Sequence, residues 1–105
     1  MLKTIKDAVQ RVTRLNINKD TRAREYVMAR CLYYHFAREL TKKSLTEIGE
    51  STKHNHATVI HNLKKFDVHY KFDEDFKKHY NILVSILQPT ASAEDIIAEV
   101  GSIDE

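Results

Sequence analysis

Apolar residues recur at helical intervals along most of this chain. Leu2, Ile5, Val9, Val12 and Leu15 are three or four positions apart with Lys, Arg and Asp between them, which predicts an amphipathic helix over residues 2–15 with one face on a core. Asn16 to Asp20 reads as a polar connection. Residues 21–40 then carry Val27, Cys31, Tyr34 and Leu40, with Ala29, Leu32, Phe36 and Ala37 widening the stripe, so a long, broad-faced helix is expected at the centre of the fold. Ser44-Leu45-Thr46-Glu47 has the form of a capping box, in which the serine hydroxyl and the glutamate carboxylate each satisfy a free backbone N–H. The helix it starts is short, because Gly49 weakens it and Ser51-Thr52 favours leaving it. Asn55 is a second cap, ahead of a helix from His56 to Phe66 whose Val59, Leu63 and Phe66 join Ile48 in facing the core. Two short helices joined by a tight turn after a longer one are the outline of a helix-turn-helix. Phe76, Tyr80, Leu83 and Leu87 place a closing helix over about Asp73 to Gln88, which Pro89 ends. The expected fold is all-α, a compact bundle of about five to six helices over residues 1–88. An acidic tail follows over 89–105, where Ser92 can cap a weak helix through Ile96, Ile97 and Val100.

Composition agrees with helices. Two Gly and one Pro leave few positions for the tight turns of an all-β fold, and 105 residues give room for one core. No apolar run approaches a membrane span and the first residues lack a signal-peptide stretch, so the expected location is the cytoplasm, with no membrane partner. The net charge of +2 hides a separation. Through Phe66 there are 14 Lys and Arg against 6 Asp and Glu, a net of +8, and from Asp67 onward 3 against 9, a net of −6. A locally cationic unit suits a polyanion, since neutralising phosphates releases condensed counterions. Arg22, Arg24 and Arg30 crowd the start of the long helix, where the helix dipole is already positive, which suggests that a function keeps them there.

Other chemistry is weakly supported. His54, His56 and His61 are the nearest approach to a metal site, but residues five apart diverge on a helix and no thiolate or carboxylate joins them, so no metal or other cofactor is expected. Pairing His56 or His61 with Glu47 or Glu50 gives acid–base groups without a nucleophile or a substrate pocket, so no enzyme is expected. Cys31 lies in an apolar pattern and reads as a buried thiol. Tyr33 and Tyr34 read as helix packing with a half-exposed hydroxyl.

Four blocks, Ala29-Arg30, Arg38-Glu39-Leu40-Thr41, Ser44-Leu45-Thr46-Glu47-Ile48-Gly49 and His56-Ala57-Thr58-Val59-Ile60-His61, occur in an order and spacing that resembles the C-terminal DNA-binding domain (domain IV) of the bacterial replication initiator DnaA. The resemblance implies about six helices, with the second helix of the helix-turn-helix in the major groove of double-stranded DNA and an arginine-rich segment in the adjacent minor groove. Carried over by position, Arg22 takes the minor-groove place and Arg24 lies with it in the basic loop. Arg30, Arg38, Lys42, Lys43, Leu45, Thr46, Lys53 and His61 fall near phosphates. His54, Asn55, His56, Ala57 and Thr58 take the base-reading positions.

The family's reading motif is Arg-Asp-His-Ser/Thr-Thr-Val, and this chain has His54-Asn55-His56-Ala57-Thr58-Val59 in its place. The turn before it is one residue shorter and lacks the family's Phe-Gly pair. Asn55 is expected to pair bidentately with adenine and Ala57 to offer a methyl contact, so the sequence read differs from the family's. The family's ATPase phosphate loop is absent. The expectation is therefore a free-standing regulator of replication or transcription, from a phage or mobile element, acting on the nucleoid of a bacterium or an infected cell. The competing expectation is a protein-interaction module on the same fold, engaging a replication or transcription protein through Ile96, Ile97 and Val100 or the acidic tail.

Overall fold

The computed structural model of the chain describes residues 1–87, and the expected tail, with Ser92, Ile96, Ile97 and Val100, lies outside the described residues. The described part is all-α. Six helices follow one another: α1 (Leu2–Thr13), α2 (Arg24–Leu40), α3 (Leu45–Glu50), α4 (His56–Lys64), α5 (Phe66–Phe72) and α6 (Glu74–Leu87).

In α1, Ile5 and Val9 are fully buried, with Leu2, Ala8 and Val12 packed half-buried beside them. The helix stops two residues before the pattern suggested, because Arg14 turns left-handed (φ 62°) and its N–H returns to the Gln10 carbonyl at 2.7 Å. That ends the helix without glycine, at a steric cost of about 1–2 kcal/mol. The connection to α2 is not simply polar. Ile17 is completely buried in it, and its N–H donates to Gln10 Oε1 at 3.1 Å, so the loop folds down onto α1.

Helix α2 is the centre of the fold. It starts at Arg24, after Thr21 Oγ1 accepts from the Ala23 N–H, and buries Met28 to Tyr34, Phe36 and Ala37 in nearly unbroken succession. Such all-round burial is what a helix packed against α1, α3, α4 and α5 requires. It ends at Thr41, whose extended backbone and hydroxyl bond to the Ala37 carbonyl at 2.6 Å stop the ladder.

Both expected caps are present. Ser44 and Glu47 form the capping box of α3, and Asn55 caps α4. The helix expected from His56 to Phe66 is instead broken at Lys65 (φ −92°, ψ −3°), and α5 leaves from Phe66. The break serves Phe66, whose ring stacks on His35 (centroids 4.2 Å apart, planes 16°) and meets Phe76 and Tyr80 edge-on. Aromatic pairs of this kind contribute about 0.5–1.5 kcal/mol beyond their buried area. Helix α5 buries no residue fully, so no apolar period announces it. Asp73 then caps α6, its carboxylate accepting from the Phe76 N–H at 2.9 Å, and Phe76 and Leu83 return the chain to the core.

Candidate nucleic-acid interface

Helices α3 and α4 are joined by a five-residue turn that other parts of the fold fix in place. Within the turn, Thr52 and His54 donate their N–H groups to the Gly49 carbonyl at 3.0 and 2.9 Å, and Lys53 donates to Glu50. Lys53 sits at φ 63°, a left-handed conformation that costs a side-chain-bearing residue about 1–2 kcal/mol. A Cβ on Gly49 would lie 2.8 Å from the His54 carbonyl oxygen and 2.9 Å from that of Asn55, so only glycine admits this approach of turn to helix.

Two tyrosines of α2 hold the turn from beneath. Ser51 Oγ donates to the Ile48 carbonyl at 2.5 Å and Thr52 Oγ1 to the Gly49 carbonyl at 3.0 Å, which uses the single proton of each hydroxyl. Tyr33 must therefore donate to Ser51 Oγ (2.6 Å) and Tyr34 to Thr52 Oγ1 (2.7 Å). Burial raises the pKa of both phenols, which keeps those protons in place. Neither ring is exposed, so the expected half-exposed hydroxyl is corrected: both hydroxyls are committed to the turn. From α1, Lys6 Nζ donates to the Ser51 carbonyl and lies 5.9 Å from the centre of the Tyr33 ring. Burial lowers the Lys6 pKa, partly opposed by Asp7.

Helix α4 sits on α2 through Val59 and Asn62, and the Cys31 thiol donates to the Asn62 carbonyl at 3.2 Å. Burial pushes the thiol up to about 12, so Cys31 stays protonated and unreactive, as its apolar setting suggested. At the start of α4, Asn55 Oδ1 accepts from the Thr58 N–H at 3.0 Å and from the Thr58 hydroxyl at 3.2 Å. His56, Ala57 and His61 are exposed on the outer face.

Between that face and the α1–α2 loop runs a groove of about 590 Å³, with Asp20, Thr21 and Arg22 on the loop side and His54, Asn55, Ala57, Thr58, His61 and Lys65 on the α4 side. Arg22 and the start of α4, more than thirty positions apart in the chain, thus line one surface. What aligns them is Arg30. Its guanidinium lies under the loop, 4% exposed, with Nε donating to the Ile17 carbonyl at 2.9 Å and Nη2 donating to the Lys19 carbonyl. Arg30 also lines the floor of the groove, with two of its guanidinium nitrogens committed to the loop backbone. It holds the backbone that carries Arg22, and burial, followed by the Arg30 charge, lowers the His54 pKa against an opposing pull from Asp20.

The remaining expected residues are placed unequally. Arg24 parts from Arg22: it turns to the far side of the loop and pairs with Asp73 at 3.1 Å, beside a second cavity that contains Glu25 and Asp75. Arg38, Lys42, Lys43 and Thr46 are exposed around the α2–α3 connection, outside the groove, and Lys43 lies 3.7 Å from Glu47. Leu45 packs half-buried against the core, which leaves its backbone as the part able to meet a ligand. Lys53 is exposed on the turn. Sequence reasoning missed Lys6, Gln10 and Ile17, although an isoleucine inside a polar connection is the kind of residue that marks an anchored loop. Among the described residues no helix is long and apolar enough to cross a membrane, and no group of three or more His, Cys, Asp or Glu is placed to hold a metal ion.

A helical core with a turn clamped between two short helices, the second offering an exposed first turn, defines a helix-turn-helix protein. The family described as bacterial dnaA protein helix-turn-helix matches residues 2–66, and the chain belongs to it. Over 92 residues it is 33% identical to the chromosomal replication initiator protein DnaA of Rickettsia canadensis and to that of Rickettsia conorii, which covers 81% of this chain and 20% of each relative. Its identity to the DnaA of Lachnoclostridium phytofermentans is 32% over 75 residues, covering 70% of this chain and 17% of that protein. The chain thus spans about a fifth of the length of the curated relatives it matches. No solved structure matches it.

Proposed function

We infer that this chain binds double-stranded DNA, with the start of α4 in the major groove and Arg22 in the adjacent minor groove. The observation that carries the reading is the groove that sets Arg22 across from Asn55, Ala57, Thr58 and His61, on a loop held by Arg30. An exposed first turn is the part of an inserted helix that reaches base edges, and arginine suits the narrow, electronegative minor groove. His54, Asn55, His56, Ala57 and Thr58 supply base preference. Arg38, Lys42, Lys43, Thr46, Lys53, His61 and the Leu45 backbone supply phosphate contacts, and Arg30 acts through the loop. Arg24, turned toward Asp73, contributes charge without entering the groove. The relatives carry the name of chromosomal replication initiators, and control of replication or transcription is the process proposed for this chain.

Fluorescence anisotropy of the purified chain on duplexes selected from a random library tests this. The logarithm of affinity should fall linearly with the logarithm of salt concentration, with a slope of about −0.9 for each phosphate neutralised by Lys or Arg, so the four such contacts of Arg38, Lys42, Lys43 and Lys53 give roughly −3.6. Arg22→Ala should weaken binding about tenfold or more, and Arg24→Ala by much less. Equal losses for the two arginines would sink the groove assignment, and absence of duplex binding at low salt would sink the reading altogether.

A further inference from the structure

We propose that Asn55 reads a base as a hydrogen-bond donor alone, and that the base it selects is guanine. The proposal rests on the DNA-binding reading above, and the geometry of the cap carries it beyond that reading. An amide oxygen has two lone pairs. In Asn55 both are taken, one by the Thr58 N–H at 3.0 Å and the other by the Thr58 hydroxyl at 3.2 Å. The backbone N–H can only donate, so it fixes which end of the amide faces the helix. The planar amide then turns Nδ2 and its two hydrogens the other way, and Asn55 itself is exposed and lines the groove. Reversing the amide would set N–H against N–H and lose the cap.

The bidentate contact with adenine expected from an asparagine needs the oxygen to accept from adenine N6 while the nitrogen donates to N7. Here that oxygen already accepts from the Thr58 N–H and hydroxyl and faces the helix, away from a base. Of the four bases, guanine presents two adjacent major-groove acceptors, N7 and O6, one for each Nδ2 hydrogen. Thymine offers the single acceptor O4. Adenine accepts one amide hydrogen at N7 but sets its N6 donor against the other, and cytosine offers only its N4 donor, which opposes both. The cap thus makes an otherwise two-sided side chain one-sided, and Thr58 belongs to the specificity machinery as the residue that positions Asn55.

Competition binding with the selected duplex and its single-base-pair variants tests this, using the wild-type chain, Asn55→Ser and Asn55→Asp. Serine keeps a cap and removes the amide, so one position should lose its preference while the others keep theirs and the melting temperature barely changes. That position should be guanine in the wild-type site, favoured about tenfold or more over cytosine. Aspartate keeps the cap and presents an acceptor, so the preference there should pass to cytosine. With the wild-type chain alone, 7-deazaguanine (no N7) or 2-aminopurine (no O6) at that position should each weaken binding several-fold. A wild-type preference for adenine at the position that Asn55→Ser flattens overturns the proposal, because it requires the free oxygen. So does selective binding in which Asn55→Ser flattens no position, or in which Asn55→Asp leaves the preferred base unchanged; in both cases the DNA-binding reading survives. A chain that binds no duplex overturns both.

Discussion

Gly49 of α3 and Lys53 of the turn it packs against carry opposite conformational loads, and their substitutions should move stability in opposite directions. Helix propensity favours alanine over glycine by about 1 kcal/mol, so on an open helix Gly49→Ala would stabilise. Here the added methyl meets two backbone carbonyl oxygens at 2.8 and 2.9 Å, and neither can move without opening the turn. Overpacking of this kind costs about 1–3 kcal/mol, and the clash should decide the sign. A midpoint lowered by several degrees in thermal melting is the expected result. Lys53→Gly removes the left-handed strain at φ 63° and should raise stability by up to about 1 kcal/mol after the greater freedom of glycine in the unfolded chain is deducted. The same change removes a proposed phosphate contact, so the salt slope of DNA binding should become shallower by about 0.9. A variant more stable yet weaker on DNA separates the two roles of one residue. Neither role is legible in the sequence, because the closeness of Gly49 to the turn and the handedness of Lys53 exist only once α3 and α4 are packed.

At the scale of elements, local rules and long-range contacts divided the legibility of the fold. The Ser44–Glu47 capping box and the Asn55 cap depend on residues three apart, and both helix starts were readable from their side chains. The stripes of α1, α2 and α6 were readable because each faces one common core. The break at Lys65 was not, because continuing α4 through Phe66 satisfies every local preference, and the rings that receive Phe66, those of His35, Phe76 and Tyr80, come from other helices. The site behaved the same way. The turn proposed to read bases stands out by its family motif, whereas Arg30 looked like one more surface cation and instead braces the loop through the Ile17 and Lys19 carbonyls. This makes a coupling testable. Arg30→Met removes the donors for the Ile17 and Lys19 carbonyls and should destabilise by about 1–3 kcal/mol while keeping the bulk of the side chain. If the loop serves only to present Arg22, DNA affinity should fall by nearly as much as in Arg22→Ala, and the double variant should be little worse than either single one. Calorimetric titration of the four proteins gives the cycle, and additive losses would show that Arg30 contacts DNA on its own account.

Taken whole, the domain joins a cationic groove to half-buried histidines whose neutral forms are favoured, and the two respond to acid in opposite ways. His35 is held among Phe36, Phe66 and Tyr80, and burial lowers its pKa below 6.5, with a smaller opposing effect from Glu39. His69 packs on Phe76 with Nε2 buried and unpartnered, and burial followed by the charge of Arg24 lowers its pKa too. His54 in the groove is shifted the same way. Each therefore takes up a proton more readily in the unfolded chain. The stability that their neutral forms provide is fully present above about pH 6.5, the ordinary histidine value, and is lost as pH falls through the lower folded values. Within that window His35, the most buried of the three, contributes up to about 1.4 kcal/mol per pH unit while it is protonated only in the unfolded chain, and His54 and His69 contribute less because solvent screens them. Denaturant titrations of the free domain should show constant stability from pH 8 to 7 and a decline from pH 6.5 to 5. His35→Phe, which keeps the stacked ring and removes the titrating group, should flatten part of that decline. DNA works against the loss, since a ligand that binds only the folded chain stabilises it by mass action, and protonation of His54 would add a positive charge to the groove itself. Melting temperatures measured with saturating duplex should accordingly fall less between pH 6.5 and 5 than those of the free chain, and an equal or larger fall would place the titrating histidines outside any contact with the bound state.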